Sequence, residues 1–303
     1  MDEAWTHGGT PAEIGRYWCF YGALFGESAV MDSLDTEIRA IKARHGHKDE
    51  VKWSNLNLTN VAMYRELKDA VFTRVRAGSV RFRQMLCDRS IVRVPEPGDP
   101  DLSELDVQFR LCYQFVKHSF GLKLLPFGAE VLVRSDTHSS QKHLKNLESY
   151  GARIPGLREL ARSDISLKLT FHRSTAMPII QLVDLLIGAA GFYGNKMYLR
   201  RLGGARRIKP KQAMRRDFAK EIFCDLRTIS NAERCARAFN WFESTGAGGI
   251  ADHALNQRIR VWKFFPKKYR IDKGWQNDHL DKFGQYVAAG FEDHIRTLDD
   301  RLW

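Results

Sequence analysis

Met177-Pro-Ile-Ile-Gln-Leu-Val-Asp-Leu-Leu-Ile-Gly-Ala-Ala-Gly191 is an apolar run with two polar interruptions. Pro178 suits the first turn of a helix, where its missing N–H would have no partner anyway. From Ile179 onward the run is apolar nearly all round, which predicts a helix laid against a sheet. The exceptions, Gln181 and Asp184, are three residues apart and share a face. A carboxylate in such a run is costly unless it is paired or bound to a cation. Two readings follow: Asp184 is salt-bridged to an arginine at the helix edge, or it is a metal ligand. Gly188 and Gly191 lie along or near the stripe, where missing side chains admit a ligand or another backbone.

Upstream, strand and helix patterns alternate. Arg16 to Phe25 is aromatic-rich and predicts a buried strand, the hairpin partner of a first strand ending at Asp2 across the Gly8–Pro11 turn. Val30, Leu34, Ile38 and Ile41 form one helical stripe, and Met63, Leu67, Val71 and Val75 form another in a helix capped at Thr59. Strands are expected at 80–86, 128–133 and 166–171, and helices at 105–120 and 140–150, with Pro95–Pro100 a loop. The expectation is an α/β fold: a mixed five-stranded sheet with helices on both faces. Beyond it, helical patches at 218–226, 233–242 and 285–298 and a turn at 246–249 predict a mainly helical extension.

The order Gln181-x-x-Asp184-Leu-x-x-Gly188-Ala resembles the C-terminal signature of the domain of unknown function 3800 family, a ribonuclease-H-like group. Asp2-Glu3-Ala4, Glu50-Val51-Lys52-Trp53-Ser54 and Asp136 after an apolar strand stand in the order of that family's other landmarks. The family's first motif follows a strand and carries Ser, whereas here only Met1 precedes Asp2 and Ala4 stands in place of Ser. The resemblance covers about residues 1 to 195 and implies a ribonuclease-H-like domain at 1–198, with the extension at 199–303. It implies four carboxylates, Asp2, Glu50, Asp136 and Asp184, as catalytic residues and ligands of Mg²⁺ or Mn²⁺, cations that prefer oxygen donors. Gln181 would be a neutral neighbour and Lys52 a phosphate contact, unless Lys52 and Trp53 simply close the loop by packing. Glu50-x-Lys52 also fits the catalytic pair of a restriction-endonuclease-like fold, provided both stand on a strand.

The 303 residues are 44% hydrophobic and 28% charged, as in an ordinary globular protein. No apolar run approaches the ~20 residues needed to span a bilayer. The acidic, polar N-terminus argues against a signal peptide. The five cysteines are scattered without a C-x-x-C pair, which argues for a reduced, cytoplasmic setting and against structural zinc. No G-x-S-x-G elbow, Walker loop or Rossmann glycine fingerprint occurs, which disfavours hydrolase-triad, nucleotide-motor and dehydrogenase chemistry. His138 and His143 lack the i,i+4 spacing of a helical zinc pair, and His172 is either a structural histidine or a proton-transfer group near the site.

The net charge of +12 is uneven: residues 196–303 hold 23 basic and 13 acidic residues, a net of +10. Arg200, Arg201, Arg206, Arg207, Lys209, Lys211, Arg215 and Arg216 form a run without an acidic residue. Mutual repulsion among eight cations points to a polyanion, so nucleic acid is the expected partner, against a solvated face or an acidic protein. Arg258 to Arg270 interleaves cations with rings, as a single-strand stacking surface or as a core strand with snorkelling cations. The expected function is a metal-dependent nuclease acting on DNA or RNA. The alternative is a catalytically silent nucleic-acid-binding or assembly module on the same fold.

Overall fold

The computed structural model describes residues 1–4, 18–88, 91–93, 111–112, 114–116, 118–136, 166–194, 208–233, 239–241, 244–245, 253–265, 268–271 and 296–297. The protein is a mixed α/β structure. In chain order its elements are β1 (Asp2–Ala4), β2 (Trp18–Gly26), α1 (Ser28–Arg44), a 3₁₀ turn (Trp53–Asn55), α2 (Val61–Ala77), β3 (Val80–Asp88) and β4 (Ile91–Arg93). A second 3₁₀ turn (Leu122–Leu124), β5 (Glu130–Asp136), β6 (Ser166–His172), α3 (Pro178–Gly194) and α4 (Pro210–Ala232) follow. The last are α5 (His253–Asn256), β7 (Ile259–Phe264), β8 (Lys268–Ile271) and β9 (Arg296–Thr297). No helix among the described residues is long and apolar enough to cross a membrane. The turn at 8–11, the loop at 95–100 and the helix expected at 140–150 lie outside the described residues; of the helix expected at 285–298 only Arg296–Thr297 are described, and they form β9 against β8, not a helix.

The strands pair as a four-stranded sheet β1-β2-β3-β7, a parallel pair β5-β6 and a small sheet β4-β8-β9. β1 is antiparallel to β2, with Asp2 opposite Gly22, and β3 is antiparallel to β2. Two main-chain bonds reach from residue 1 to β5: Met1 N donates to Arg134 O at 2.7 Å, and Asp136 N donates to Met1 O at 3.2 Å. β7 was not expected in the first sheet. It comes from the C-terminal third and lies parallel to β3, with Ile259 and Val261 fully buried. Residues 259–264 are therefore a core strand. Thr245 covers its outer edge: its N donates to Val261 O at 3.0 Å, and its Oγ1 accepts from Val261 N at 3.0 Å.

Strand alternation gives the first sheet two different faces. Phe20, Phe82, Leu86, Ile259 and Val261 join α1, α2, α3 and α4 in the larger core. Cys19, Tyr21, Ala23, Met85 and Cys87 face the other way, against helical residues around Phe115 and Phe120. The expected apolar stripes of α1 and α2 are buried, apart from the half-buried Val30, but the residue before α2 is Asn60, not Thr59. Thr59 instead serves the turn, where its N and Oγ1 both donate to Asn57 Oδ1. Ionic contacts tie α4 to α2: Arg65 grips Glu221, and Lys68 and Arg76 both reach Asp225. Such surface pairs hold register more than they add stability.

α3 lies across β1 and β2 with nearly its whole circumference buried, as its apolar run predicts. Each fully buried Leu or Ile there contributes roughly 1.5–3 kcal/mol. Its N-terminus is held by Asp35 of α1, whose Oδ1 accepts from Ile179 N at 3.2 Å, a carboxylate at the positive end of the helix. Two glycines set how close its neighbours come. A methyl group on Gly22 would enter Ile187 and Val183, and one on Gly188 would stand 2.7 Å from Trp53 Cγ. Trp53 has little room to retreat, because its ring lies 5.4 Å from that of Phe192 and 6.3 Å from that of Phe218. Gly188→Ala should therefore destabilise the protein by about 1–3 kcal/mol through overpacking. Chemical denaturation checks this, and an unchanged midpoint would show that the Trp53 seat is loose.

Candidate active site

The site is built where an extended loop crosses α3. Residues 50–52 lead into the 3₁₀ turn with Lys52 extended, and their side chains alternate. Val51 and Trp53 point inward and are buried, while Glu50 and Lys52 are left on the open side. Burying this loop hides its N–H groups from water, and each then needs an acceptor. The two polar residues of α3 supply them. Gln181 Oε1 accepts from Val51 N at 2.9 Å, and Asp184 Oδ2 accepts from Trp53 N at 2.8 Å. Between them, Tyr64 OH accepts from Lys52 N at 3.2 Å and donates to Lys52 O at 3.1 Å. Asp184 thus has a third role beside the two expected: it receives a main-chain N–H, and among the described residues no arginine pairs with it.

Ser174 joins the remaining parts. It sits in the turn between β6 and α3, and its main-chain O accepts from Gln181 Nε2 at 2.7 Å. Its N donates to Asp136 Oδ1 at 3.0 Å, and its hydroxyl donates to Glu50 Oε1 in a short hydrogen bond. Glu50 Oε2 meets Lys52 Nζ at 2.9 Å. Three expected site carboxylates, Glu50, Asp136 and Asp184, are therefore brought to one place from a loop, a strand end and a helix. Asp2 is buried on β1 opposite Gly22, on the face of the sheet that α3 covers. Ser174 was not anticipated. The available signal was a hydroxyl residue four positions before Pro178, shortly after a strand.

The electrostatics follow from this crowding. Burial raises the Asp184 carboxyl above its ordinary value, and the charges of Glu50 and Asp136 push the same way against Trp53 N–H and Lys52. For Lys52, burial acts to lower the ammonium. Glu50, Asp136 and Asp184 outweigh it and raise the pKa. Lys42 Nζ, 3.4 Å from Gln181 Oε1, is lowered by burial. Among the described residues, no group of three or more His, Cys, Asp or Glu side chains is arranged to hold a metal ion as the side chains stand. The donor set itself suits a hard cation: it is all oxygen and crowded with like charge. Asp184 Oδ1 accepts no hydrogen bond among the described residues. Glu50, Asp136 and Asp184 are the groups that would hold Mg²⁺ or Mn²⁺.

Other expected residues fare differently. Glu50 and Lys52 lie in a loop, which removes the strand-borne pair of a restriction-endonuclease-like site. His172, opposite Asp136 across the β5-β6 pair, bonds Thr170 Oγ1 at 3.0 Å. Arg215 serves the 3₁₀ turn through two of its donors. Its Nε donates to Leu56 O at 3.1 Å and its terminal nitrogen donates to Ser54 O, which secures the 3₁₀ turn. Arg216 meets Asp217 at 2.7 Å, and Lys209 and Lys211 are exposed at the start of α4. Arg200, Arg201, Arg206, Arg207, His138 and His143 lie outside the described residues. No protein-family model, curated protein or solved structure matches this chain.

The raised Asp184 pKa has a stability consequence with a definite sign. Over the pH range from the ordinary 3.8 up to the folded value, the native state binds more protons than the unfolded chain. The favourable contribution is thus complete below 3.8 and lost as pH rises through the folded pKa. Asp184→Asn keeps an acceptor for Trp53 N and removes the charge. Its melting temperature should exceed wild type at neutral pH, and the gain should shrink as pH falls toward 3.8. A gain independent of pH would place its origin elsewhere.

Proposed function

We propose that this protein is a divalent-metal-dependent nuclease with a ribonuclease-H-like core, hydrolysing phosphodiester bonds of DNA or RNA. The observation that carries this reading is the Ser174 junction, which joins Glu50 and Asp136 beside Lys52 and within range of the charge of Asp184. The hydrogen bonds of Met1 support the fold assignment. A residue that donates to 134 and accepts from 136 has the bonding pattern of a parallel neighbour, which would extend β3-β2-β1 into β5-β6. That order of five strands, with one antiparallel member, is the one expected of a ribonuclease-H-like sheet, and the resemblance to the domain of unknown function 3800 family points the same way. The basic run 200–216 is the segment assigned to hold the nucleic acid. Arg215 is the exception, since it serves the turn.

When bound, Mg²⁺ or Mn²⁺ would supply a Lewis acid and lower the pKa of water. The chain's own contribution is positional. Gln181 and Asp184 fix the loop through two N–H groups, and Ser174 fixes the carboxylates of Glu50 and Asp136. Lys52 neutralises Glu50 and offers an ammonium for a phosphate oxygen. Burial of the loop keeps water from the back of the site.

A second reading, a silent nucleic-acid-binding module, is favoured by one observation: Lys52 Nζ already occupies Glu50. Cleavage of single- and double-stranded DNA and RNA with Mg²⁺ or Mn²⁺ separates the two. Wild type should cleave at least one substrate. Asp184→Asn should lose more activity than the roughly 10–100-fold that removal of an outer partner causes, while staying folded. Metal-independent binding without cleavage would leave the module reading.

The basic run has its own signature. Replacing Arg206, Arg207, Lys209 and Lys211 by Ala should flatten the dependence of log affinity on log salt, by about 0.9 per lost duplex contact or 0.7 on single strands. Turnover at saturating substrate should change far less. An unchanged slope would assign the run to solvent or a protein partner.

A further inference from the structure

The nuclease reading uses the face of the sheet that α3 covers, and the opposite face carries a pair of thiols. Cys19 of β2 and Cys87 of β3 are register partners in the antiparallel ladder, so they stand directly opposite each other. Strand alternation turns both side chains away from α3, into the cluster that holds Tyr21, Met85 and Phe115. Directly opposed residues of antiparallel strands have Cα atoms about 4.5–5.5 Å apart. A disulfide spans roughly 4.4–6.8 Å between Cα atoms, so the ladder already holds the pair at bonding separation. The two thiols are hydrogen-bonded to each other. Cys112 joins the same cluster with its Sγ 4.0 Å from Met1 Sδ, and Cys224 is exposed on α4.

Both side chains are buried, Cys19 at 6% and Cys87 at 7% exposure. Burial first, and then the Cys19 thiol, push the Cys87 thiol well above its ordinary value, so the closed sheet keeps it in the unreactive form. Access comes from the position of the pair. The β2-β3 ladder has one rung beyond it, Trp18 with Asp88, and Cys87 is the last paired residue of the β3-β7 ladder. Strand ends open locally at a far lower cost than the whole fold unfolds. Parting of those two rungs returns both sulfurs to water, where a thiol ionises near its ordinary pKa of roughly 8.5 and becomes a nucleophile.

We propose that Cys19 and Cys87 are a redox-sensitive pair that closes to a cross-strand disulfide when the surrounding pool of small-molecule disulfides turns oxidising. One cysteine thiolate, freed at the ladder end, attacks a sulfur of the small disulfide; a mixed disulfide forms and one small thiolate leaves. The other cysteine thiolate then attacks the cysteine sulfur of the mixed disulfide and expels the second small thiolate. The two cysteines lose two protons and two electrons in all, and the small disulfide becomes two thiols. In a reducing compartment the pair rests as the dithiol. Once closed, the bond fastens the end of the β2-β3 ladder and restrains the unfolded chain between residues 19 and 87, which contains α1 and α2. The inference is independent of the nuclease reading, because neither cysteine belongs to the carboxylate site.

The test equilibrates the full chain in buffers of graded reduced-to-oxidised glutathione ratio. Free thiols are then trapped with N-ethylmaleimide in denaturant, and the proteolytic peptides are mapped by mass. The expected species is a peptide pair joining Cys19 to Cys87, two hydrogens lighter than the dithiol. Its fraction should rise with the oxidised share of glutathione and vanish on addition of dithiothreitol. The oxidised protein should melt several degrees above the reduced one, and Cys87→Ser should lose that difference. Cys19 and Cys87 both free across the whole range, or linked to Cys112, Cys224 or Cys235 instead, overturns the proposal, as does a melting difference retained in Cys87→Ser. If Cys87→Ser does not fold, Cys19→Ala takes its place under the same criterion, and the peptide map of wild type needs neither variant.

Discussion

Two side chains on one helix satisfy the main chain of a loop that would otherwise be buried with idle donors. Gln181 and Asp184 take the N–H groups of Val51 and Trp53, and the geometry of the site depends on that attachment. Neutral acceptors would stabilise the loop as well. A carboxylate at Asp184 makes the fold less stable than it need be at neutral pH, since burial and two neighbouring acids oppose its charge. A residue kept against stability in this way is a candidate for function. The nuclease reading assigns the charge to a cation.

The supports of the loop come from distant parts of the chain. Trp53 fits because Gly188 has no side chain, Arg215 of α4 holds the carbonyl groups of Ser54 and Leu56, and Tyr64 of α2 clasps Lys52. On the other side, Ser174 reads β5 through Asp136 and the loop through Glu50. The C-terminal third is part of this framework too: α4 carries Arg215, and β7 extends the first sheet beside β3.

Much of this was legible in the sequence where burial is periodic. The stripes of α1 and α2, the aromatic strand β2 and the apolar run of α3 declare themselves because water selects which side chains turn inward. The polar pair in α3 was legible as an anomaly, but its partners were not. A main-chain N–H carries no residue signature, so a carboxylate that receives one looks like a carboxylate waiting for a cation or an arginine. The bonds of Arg215 to the turn were hidden for a related reason: a guanidinium bound to carbonyl groups is indistinguishable in sequence from one facing phosphate. β7 was ambiguous because Arg260 and Trp262 alternate with Ile259 and Val261, and cations among rings suit either a strand or a stacking surface.

On the proposed function, the loop is fastened so that Glu50, Asp136 and Asp184 share a divalent cation. Crystals of the protein soaked in Mn²⁺ and measured at the manganese absorption edge test it most directly. The expected result is an anomalous peak within roughly 2.0–2.6 Å of oxygens from those three residues, the range for hard cations, with Lys52 displaced from Glu50. No peak there at saturating Mn²⁺, with Lys52 still on Glu50, would contradict it.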